Sequence, residues 1–411
     1  MSQSFHAVPA FKPAQSSSNS TRPVGLAPLE ADCCAGTVRG TPLKICIIGL
    51  KCFDHITEKP VPQYLGGIET QLPILAKGLR AEGCQVSLIT FDHGQADGQT
   101  FEGVRVFKSY PPSGGVRVVR SFARAAKLWQ AMRTADADIY LQMGAGSETG
   151  LTALGCRFIP RRARFVFCLA SDGDCSGTLG AAKLESAVYR FGIRHASLVI
   201  SQTKSQRGNL EQALGLKSSV IPMAVAAAGA AIPARAANSR SVLWLGRLMP
   251  EKRFEWLLDA ARRCQDMEFH VAGTPNKPSG YAADLMTAAA SVPNVRVHGR
   301  LSRPELNRLF QTCTLLCCTS KLEGFPTTFL EAWSCGMPVV TTFDPDGIVQ
   351  QNGLGRVATT LNEVVAHLQS LPGTGEYAAM STAVKNYYTD HHSVAAISRR
   401  FREAFEALVT A

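Results

Sequence analysis

The stretch that decides the fold is TLLCCTSKLEGFPTTFLEAWSCGMPVVTT, residues 314–342. The apolar run at 314–320 predicts a strand buried on both faces of a parallel sheet, and the run at 337–342 predicts the next strand. Pro326 and Gly336 bracket a short helix between them, because proline is favoured in the first turn of a helix and glycine just past its end. The stretch is therefore a strand–helix–strand unit, which is the building block of an α/β fold.

The same stretch places polar groups at the carboxyl end of its first strand. Glu323 lies in the loop, and Glu331 lies one to two turns into the helix, whose N-terminus carries Thr327 and Thr328. Carboxylates suit the hydroxyls of a sugar or a ribose, and the free N–H groups of a helix N-terminus suit phosphate. Two exposed charges are the simpler interpretation, but the flanking glycines, proline and apolar strands favour a binding cleft.

Strands and helices alternate on both sides of this unit. Short apolar runs predict further strands at 44–49, 86–91, 138–143, 164–169, 197–201, 241–246, 267–273 and 294–299. Amphipathic segments predict helices at 72–82, 116–133, 178–195 and 203–214. This alternation predicts an α/β protein made of two doubly wound domains in series.

The predicted domain boundaries follow changes in composition. Residues 1–40 are rich in Ser, Pro and Ala without a hydrophobic period, which predicts a disordered tail. The small-residue segment at 223–240, which contains Pro and Gly, is the predicted linker between a domain at 41–222 and a domain at 241–392. The last segment, 393–411, is a predicted helix whose apolar face needs a surface to pack on. That face carries Val394, Ile397, Phe401, Phe405 and Leu408.

The composition narrows the class of protein. The chain has 411 residues, of which 45% are hydrophobic and 18% are charged, as in globular proteins. No apolar run reaches the ~18 residues of a membrane-spanning helix, and the first residues lack the pattern of a secretory signal. The 13 cysteines are scattered without a C-x-x-C pair, which favours reduced core cysteines in a cytosolic protein over a disulfide framework or a zinc cluster.

The net charge of +11 is concentrated in the first half of the chain. Residues 41–222 contain 22 Lys and Arg against 14 Asp and Glu, a net charge of +8. Residues 223–411 contain 18 against 16, a net charge of +2. A basic half predicts an anionic ligand or an anionic surface as a partner, and no nucleic-acid-binding motif is recognisable, so nucleic acid is not expected.

Two further motifs suit phosphate groups. Gly66 and Gly67 precede a predicted helix, where paired glycines let the backbone approach a phosphate, although such pairs also occur in ordinary turns. Gly246 ends the first strand of the second domain, and Arg247 and Lys252 follow it in the loop. Ligands of open α/β sheets bind beyond the carboxyl ends of the strands, so the two cations can converge on a diphosphate. Two solvated loop charges are the alternative.

These motifs together resemble those of the family 4 glycosyltransferases, a large retaining group with the GT-B architecture of two facing Rossmann-like domains. The matching segments are GGIE (66–69), LGRLMPEKR (245–253), EGFPTTFLE (323–331), CGMPVV (335–340) and DPDGI (344–348). The third, with seven residues between two glutamates, is the most specific. The resemblance implies transfer of a hexose from a UDP- or GDP-sugar to a hydroxyl of a saccharide or lipid-linked acceptor, in polysaccharide biosynthesis.

The resemblance also implies roles for individual residues. Arg247 and Lys252 would neutralise the donor diphosphate, so that neither a divalent metal nor another cofactor is implied. Glu323 would contact the donor sugar together with the backbone of Gly324 and Phe325. The family's final helix returns to the first domain, which would give the last helix its surface. The other donor-site residues would be Glu331 at the ribose, Gly67 at the phosphate, and Gly66, Gly246, Thr327 and Thr328 around them.

The chain departs from the family at one position. Many relatives carry a His–Asp pair after a strand of the first domain, and here the strand at 164–169 is followed by Ser171, Asp172, Gly173 and Asp174. Asp172 is therefore a candidate for a catalytic role, with a loop-capping turn as the alternative. The missing histidine leaves one rival open, a non-catalytic nucleotide-sugar-binding subunit. A nucleotide-sugar epimerase of the same fold is the rival among enzymes.

The helix predicted at 116–133 divides its residues into two faces. At 100° per residue the basic residues fall within an arc of about 80° and the apolar residues within an opposite arc of about 140°. We expect the apolar face to pack in the core and the basic face to make a peripheral contact with the inner face of an anionic cell membrane. An ordinary crossover helix with a solvated basic face is the alternative. The basic residues are Arg117, Arg120, Arg124 and Lys127, and the apolar ones are Val118, Val119, Phe122, Ala125, Ala126, Trp129 and Met132.

Overall fold

The computed structural model describes residues 42–57, 67–112, 117–159, 163–179, 183–228, 240–275, 280–321, 323 and 325–410. Residues Pro42–Ala411 form one compact unit. It contains two sheets, almost entirely parallel, with helices between most consecutive strands, which confirms the predicted doubly wound α/β architecture. The predicted tail at 1–40, Gly66, Gly324 and residues 229–239 of the predicted linker lie outside the described residues.

The first sheet has eight strands in the order β3-β4-β2-β1-β5-β6-β7-β8. They are β1 (Lys44–Ile48), β2 (Gln85–Thr90), β3 (Gln99–Phe101), β4 (Val104–Lys108), β5 (Ile139–Met143), β6 (Arg164–Cys168), β7 (Leu198–Ser201) and β8 (Ser219–Val220). Strand β3 pairs antiparallel with β4, and the pairings of β1 with β2 and with β5 are parallel. The chain changes direction across the sheet at β1 and β5, and ligands of such sheets bind at this switch point.

The second sheet has six parallel strands in the order β11-β10-β9-β12-β13-β14. They are β9 (Ser241–Leu245), β10 (Glu268–Ala272), β11 (Val295–Gly299), β12 (Leu315–Cys318), β13 (Val339–Thr341) and β14 (Gly355–Val357). Its switch point lies between β9 and β12. The loops after these two strands carry the two motifs predicted to bind the donor.

The helices run between the strands and after the second sheet. They are α1 (Phe53–Ile56), α2 (Gly67–Ala81), α3 (Arg117–Ala135), α4 (Glu148–Arg157), α5 (Lys183–Arg194), α6 (Lys204–Leu214), α7 (Phe254–Arg263), α8 (Gly280–Ala290), α9 (Arg303–Thr312), α10 (Thr327–Ser334), α11 (Ile348–Gln351), α12 (Leu361–Ser370), α13 (Gly375–His391) and α14 (Val394–Thr410). Among the described residues, none of the helices combines the length and the apolar character needed to cross a bilayer.

Four strands of the structure were not predicted: β3, β4, β8 and β14. They are short and lie at or near sheet edges, where a strand has less apolar surface to bury. Strands β3 and β4 form a hairpin around Glu102 and Gly103, both with positive φ, at 46° and 79°. A two-residue hairpin turn requires that conformation, and glutamate is an uncommon residue for it. The turn therefore carried a weak sequence signal.

The last helix packs on the first sheet's side of the molecule. Ile397, Phe401 and Phe405 of α14 belong to the same buried cluster as Leu72 and Leu75 of α2. Helix α14 follows the second sheet in the chain, so this packing confirms the predicted return of the final helix to the first domain. It also explains the apolar face of α14, which is buried in the protein.

The chain passes between the two sheets twice, and the two crossing segments bond to each other. His392 donates through Nδ1 to the carbonyl of Met223 at 3.1 Å, and its own carbonyl accepts from the Val225 N–H at 3.2 Å. Burial lowers the pKa of His392 to about 4. The ring is therefore neutral near pH 7, and the crossing is held by neutral hydrogen bonds.

Helix α3 is oriented differently from the sequence-based expectation. Its buried residues include Ala125, Leu128 and Met132, whereas Phe122, expected in the core, is 77% exposed. The guanidinium of Arg124, expected on the basic surface, lies over the Tyr110 ring at 5.2 Å. The buried face is thus turned by roughly a quarter of the helix circumference from the predicted apolar arc. The expectation was wrong for Phe122 and for Ala126, which is also exposed, because the sheet, not the mean position of the apolar residues, sets the buried face. The side chains of Arg117, Val118, Val119 and Arg120 lie outside the described residues.

Candidate functional site

A cleft of about 480 Å³ opens at the switch point of the first sheet. Its walls are residues at the ends of β1, β5 and β6 and at the start of α2. Thr327, the first residue of α10, also lines this cleft, although α10 belongs with the second sheet. Two motifs distant in the sequence, at Gly67 and at Thr327, therefore meet at one cavity.

Two helix N-termini point their free N–H groups toward this region. Helix α2 begins at Gly67, where an added Cβ would find its nearest neighbour, the Gln71 side chain, at 3.9 Å, so the position is open. Helix α10 begins at Thr327 and Thr328 and is preceded by Pro326, as the sequence predicts. The first N–H groups of a helix lack partners within it and favour an anion. The two helix N-termini together therefore suit a phosphate group.

The loops at the second switch point bring Lys252 and Glu323 together. The Lys252 ammonium contacts the Glu323 carboxylate, which also accepts from the Ser320 hydroxyl at 2.6 Å. Gly246 donates its N–H to the Ala272 carbonyl and so continues the β9–β10 pairing. Arg247 is exposed, and its convergence with Lys252 on a diphosphate stays a prediction.

Arg253 is a structural residue of this site that the sequence analysis left without a role. Its guanidinium donates to the Thr319 carbonyl at 2.7 Å and to the Thr342 hydroxyl at 2.8 Å, and lies over the Trp256 ring at 4.1 Å. It therefore ties the loop after β9 to the ends of β12 and β13. Its position within the matching segment LGRLMPEKR was the available signal.

Glu331 forms an ion pair with Arg303 at the start of α9. The Glu331 side chain is 14% exposed and that of Arg303 is 47% exposed. Arg303 was not predicted, because its link to Glu331 joins two helices through space. The pair holds the carboxylate that the resemblance assigns to the ribose hydroxyls, so Arg303 belongs to the candidate site.

Phe325 connects the loop after β12 to the crossing between the two sheets. Its ring lies 5.4 Å from that of His392 and 6.5 Å from that of Trp333, measured between centroids. The side chain therefore packs inward, and the backbone remains the part of Phe325 that the resemblance places at the donor sugar. A movement of the crossing would reach this loop through the Phe325 ring.

The segment after β6 divides its two aspartates between structure and solvent. The buried Asp174 accepts from the N–H groups of Ala170 and Ser171, at 2.7 and 3.2 Å, and caps the short 3₁₀ helix Asp172–Ser176. The loop-capping role weighed for Asp172 thus belongs to Asp174. Asp172 is exposed, and Ser171 and Asp174 line the cleft there. The catalytic role of Asp172 stays a prediction.

Glu148, at the start of α4, is a carboxylate in the cleft that the sequence analysis missed. It accepts from the Tyr110 hydroxyl at 3.2 Å, and burial together with this carboxylate raises the pKa of Tyr110. An added Cβ at Gly146 would lie 2.7 Å from Glu148 Oε2, so a glycine leaves room for it. Glu148 could accept a hydroxyl from a ligand in the cleft. The sequence around it, MGAGSETG, gave no specific signal.

Side chains that could chelate a metal are not grouped around the cleft. Within the described ranges, no three His, Cys, Asp or Glu side chains are placed to hold a metal ion together. The charged residues that line the cleft are instead Lys51, Glu69, Glu148 and Asp174. The groups available for an anion there, among the described residues, are the helix N-termini and Lys51.

Both sheets are doubly wound, and a helix N-terminus of the second sheet reaches the cleft at the switch point of the first. This arrangement defines the GT-B class of fold. Residues 239–371 match the family model described as glycosyl transferases group 1, and residues 66–226 match the one described as a glycosyl transferase 4-like domain. The chain belongs to this family, the family 4 glycosyltransferases.

Individual relatives are more distant. The D-inositol 3-phosphate glycosyltransferase of Mycobacterium avium (strain 104) is 35% identical over 105 residues, which are 24% of this chain and 24% of that protein. This match therefore spans about a quarter of the curated relative's length.

Solved structures match over most of the chain. Anabaena Alr3699/HepE in complex with UDP and glucose has a TM-score of 0.65 at 18% identity, over 89% of this chain and 100% of that one. Sucrose-phosphate synthase from Thermosynechococcus elongatus has a TM-score of 0.65 at 15% identity, over 90% and 99%. At these identities the likeness shows the shared fold.

Proposed function

We propose that this protein is a retaining glycosyltransferase that moves a hexose from a nucleoside diphosphate sugar to a hydroxyl of a saccharide or lipid-linked acceptor. The observation that supports this most is the meeting of two helix N-termini, at Gly67 and Thr327, at one cleft. The paired charges Lys252 and Glu323 lie on the loops after β9 and β12, and Glu331 lies within α10. Family membership supports the same reaction class.

The donor diphosphate would take the place between the helix N-termini and the cations. In this structure the charges of Lys252 and Glu323 neutralise each other. A donor would exchange this contact for two others, with the Lys252 ammonium on the diphosphate and the Glu323 carboxylate on sugar hydroxyls. Glu331 would accept from the ribose hydroxyls. Arg247, which is exposed, would add its charge when the loop closes on the donor.

The main electrostatic task in this reaction is to stabilise the departing diphosphate and an oxocarbenium-like transition state. Preorganised donors aimed at developing charge are the strongest device that an enzyme has for this. Here Lys252, Arg247 and the two helix N-termini would supply the positive charge that a divalent metal supplies elsewhere. We therefore propose that transfer is independent of metal.

The cysteines and the family support a cytoplasmic place for the reaction. All eleven described cysteines are free and most are buried. Burial raises the pKa of the Cys46 thiol to about 12 and that of the Cys175 thiol to about 11, so both are unreactive near pH 7. Reduced core cysteines support a cytoplasmic protein, and we propose a role in polysaccharide biosynthesis there.

The test is turnover with candidate donors. UDP-glucose is the first donor to use, because the Anabaena neighbour was solved with UDP and glucose, and a GDP-hexose is the second. Release of free nucleotide in the presence of a saccharide panel would be measured, and the anomeric configuration of the product read by NMR. Inversion at the anomeric carbon would contradict the retaining assignment.

The two rival functions give different results in the same assay. A non-catalytic subunit would bind the nucleotide by calorimetry and release none of it from any donor. The absence of the family's histidine near Asp172 is the observation that keeps this rival open. An epimerase would convert the donor sugar to its epimer and would form no glycosidic bond. The proposed transferase requires both nucleotide release and a new glycosidic bond.

A further inference from the structure

We infer that Arg253 is a positioning residue, which sets the Lys252 ammonium and the Glu323 carboxylate in their places at the donor site. The inference rests on the proposed transferase function, because it concerns the binding and transfer of the same donor. Arg253 follows Lys252 directly in the loop after β9. Its side chain is half-buried and bonded to the protein itself, so it would act without touching the donor.

The backbone of Arg253 has a conformation that favours glycine. Its φ of 48° and ψ of 52° place it in the left-handed region, which residues with a Cβ adopt rarely. It is one of four non-glycine residues with positive φ in the part of the chain that the structure describes. A glycine would fit this turn without strain, so the contacts of the guanidinium must offset the strain that an arginine brings.

The guanidinium holds two consecutive residues at the end of β12. It donates to the Thr319 carbonyl at 2.7 Å and to the Ser320 carbonyl at 3.4 Å. It also donates to the Thr342 hydroxyl at 2.8 Å, and that hydroxyl donates in turn to the Ser320 carbonyl at 2.9 Å. Thr319 and Ser320 are both buried. The guanidinium therefore fixes the backbone at both positions.

The same two residues hold the charged pair of the donor site. The Thr319 hydroxyl donates to the Lys252 carbonyl at 2.6 Å and accepts from the Trp244 indole at 3.1 Å. The Ser320 hydroxyl donates to the Glu323 carboxylate at 2.6 Å. One guanidinium thus acts on Lys252 through Thr319 and on Glu323 through Ser320.

This connection matters because the charged pair comes from two loops that are 71 residues apart in the chain. Under the proposed function, Lys252 and Glu323 exchange each other for the diphosphate and the sugar of the donor. A scaffold that fixes both loops lets the two side chains change partners while their backbones stay in register. A displacement of a reacting group by about 1 Å can lower a rate by roughly 100-fold.

The test is a double-mutant cycle between Arg253 and Lys252, measured on the full chain. Arg253→Gly removes the guanidinium, and glycine keeps the positive φ without strain. On its own this variant should lower kcat with UDP-glucose by about 10- to 100-fold, because the charged pair loses its position. It should also weaken UDP binding in calorimetry by about fivefold, which is part of what a charged hydrogen bond contributes.

In a chain that already carries Lys252→Ala, the same change should alter kcat and UDP affinity by no more than about twofold, since residues that act as a unit are not additive. A residue that only stabilises the fold would cause the same loss in both backgrounds. GDP and a GDP-hexose replace UDP and UDP-glucose if the wild type prefers them.

Two further variants complete the test. Thr342→Val removes one bond of the guanidinium and leaves its bonds to the two carbonyls, so it should lower kcat by about two- to fivefold. It takes the place of Arg253→Gly in the cycle if that variant does not fold. Arg263→Ala, at the other end of α7, is the matched control. Its guanidinium donates to the Asn362 side chain at 2.8 Å, and its loss should leave kcat and UDP affinity unchanged.

The outcomes separate this inference from the proposed function. Equal losses for Arg253→Gly in the wild-type and Lys252→Ala backgrounds would overturn the inference, and so would wild-type kcat and UDP affinity in the folded variant. A wild-type chain that binds nucleotide without transferring a sugar would refute the transferase alone, and the cycle would then be judged on nucleotide affinity. A wild-type chain that binds neither UDP nor GDP would overturn both.

Discussion

Replacing Glu331 with alanine should weaken the binding of free nucleotide by roughly 2- to 150-fold. A hydrogen bond to a charged group contributes about 1.5–3 kcal/mol. The nucleotide must first displace the ion pair between Glu331 and Arg303. The Arg303 side chain is nearly half exposed, so this pair contributes only up to about 1 kcal/mol. A nucleotide that displaces this pair gains only the difference, about 0.5–3 kcal/mol, and each 1.4 kcal/mol is roughly tenfold in affinity.

Calorimetry with UDP and with GDP measures this effect, and Arg303→Ala is the matched control. That variant removes the ion pair and leaves the carboxylate, so nucleotide affinity should change by no more than about fivefold. Wild-type affinity in Glu331→Ala would remove the ribose assignment. A loss in Arg303→Ala as large as in Glu331→Ala would show that the carboxylate serves only to hold Arg303.

The remaining predictions concern the transition state, helix packing and pH. Lys252→Ala should lower kcat through a loss of roughly 2–4 kcal/mol in transition-state stabilisation, while Lys321→Ala beside it should leave the rate unchanged. EDTA should leave the wild-type rate unchanged, and a strict Mg²⁺ requirement would contradict this. Gly78→Ala should lower the free energy of unfolding by about 1–3 kcal/mol, because the new Cβ would lie 2.1 Å from the Ser398 Oγ of α14. Gly208→Ala, with no atom near its Cβ, should instead stabilise by about 0.5–1 kcal/mol, and equal melting temperatures for both variants would refute the packing argument. Burial depresses the pKa of His392 in the folded protein, so between pH 6.5 and about 4 only the unfolded chain gains this proton. The free energy of unfolding should therefore fall as the pH falls through this range, by up to about 1.4 kcal/mol per pH unit. His392→Gln should reduce this slope, as measured by thermal unfolding.

Much of the fold was readable from local sequence. A strand buried on both faces must be a continuous apolar run, and each of the ten predicted runs is a strand of one of the two sheets. The helix α10 was bracketed correctly by Pro326 and Gly336, since caps and breakers act within one turn of chain. The donor-site assignments of Glu323, Glu331 and Lys252 remain predictions, although the structure places all three at the second sheet's switch point and the helix beside it.

Tertiary structure alone decided which side chains meet. Lys252 and Glu323 are 71 residues apart, and Arg303 and Glu331 are 28 apart, so no local pattern could pair them. Asp346 accepts from the N–H groups of Lys204 and Ser205 across 142 and 141 residues.

The orientation of α3 shows the physical reason. Its apolar residues spread over a wide arc, and Phe122 and Leu128 are equally good candidates for burial by hydrophobicity. The sheet accepts only one face of the helix, and that face contains Leu128 and Met132. Sequence therefore determines which segments are strands and helices, because those signals are local. Which face each helix buries, and which charges pair, depends on the shape of the surface against which it packs.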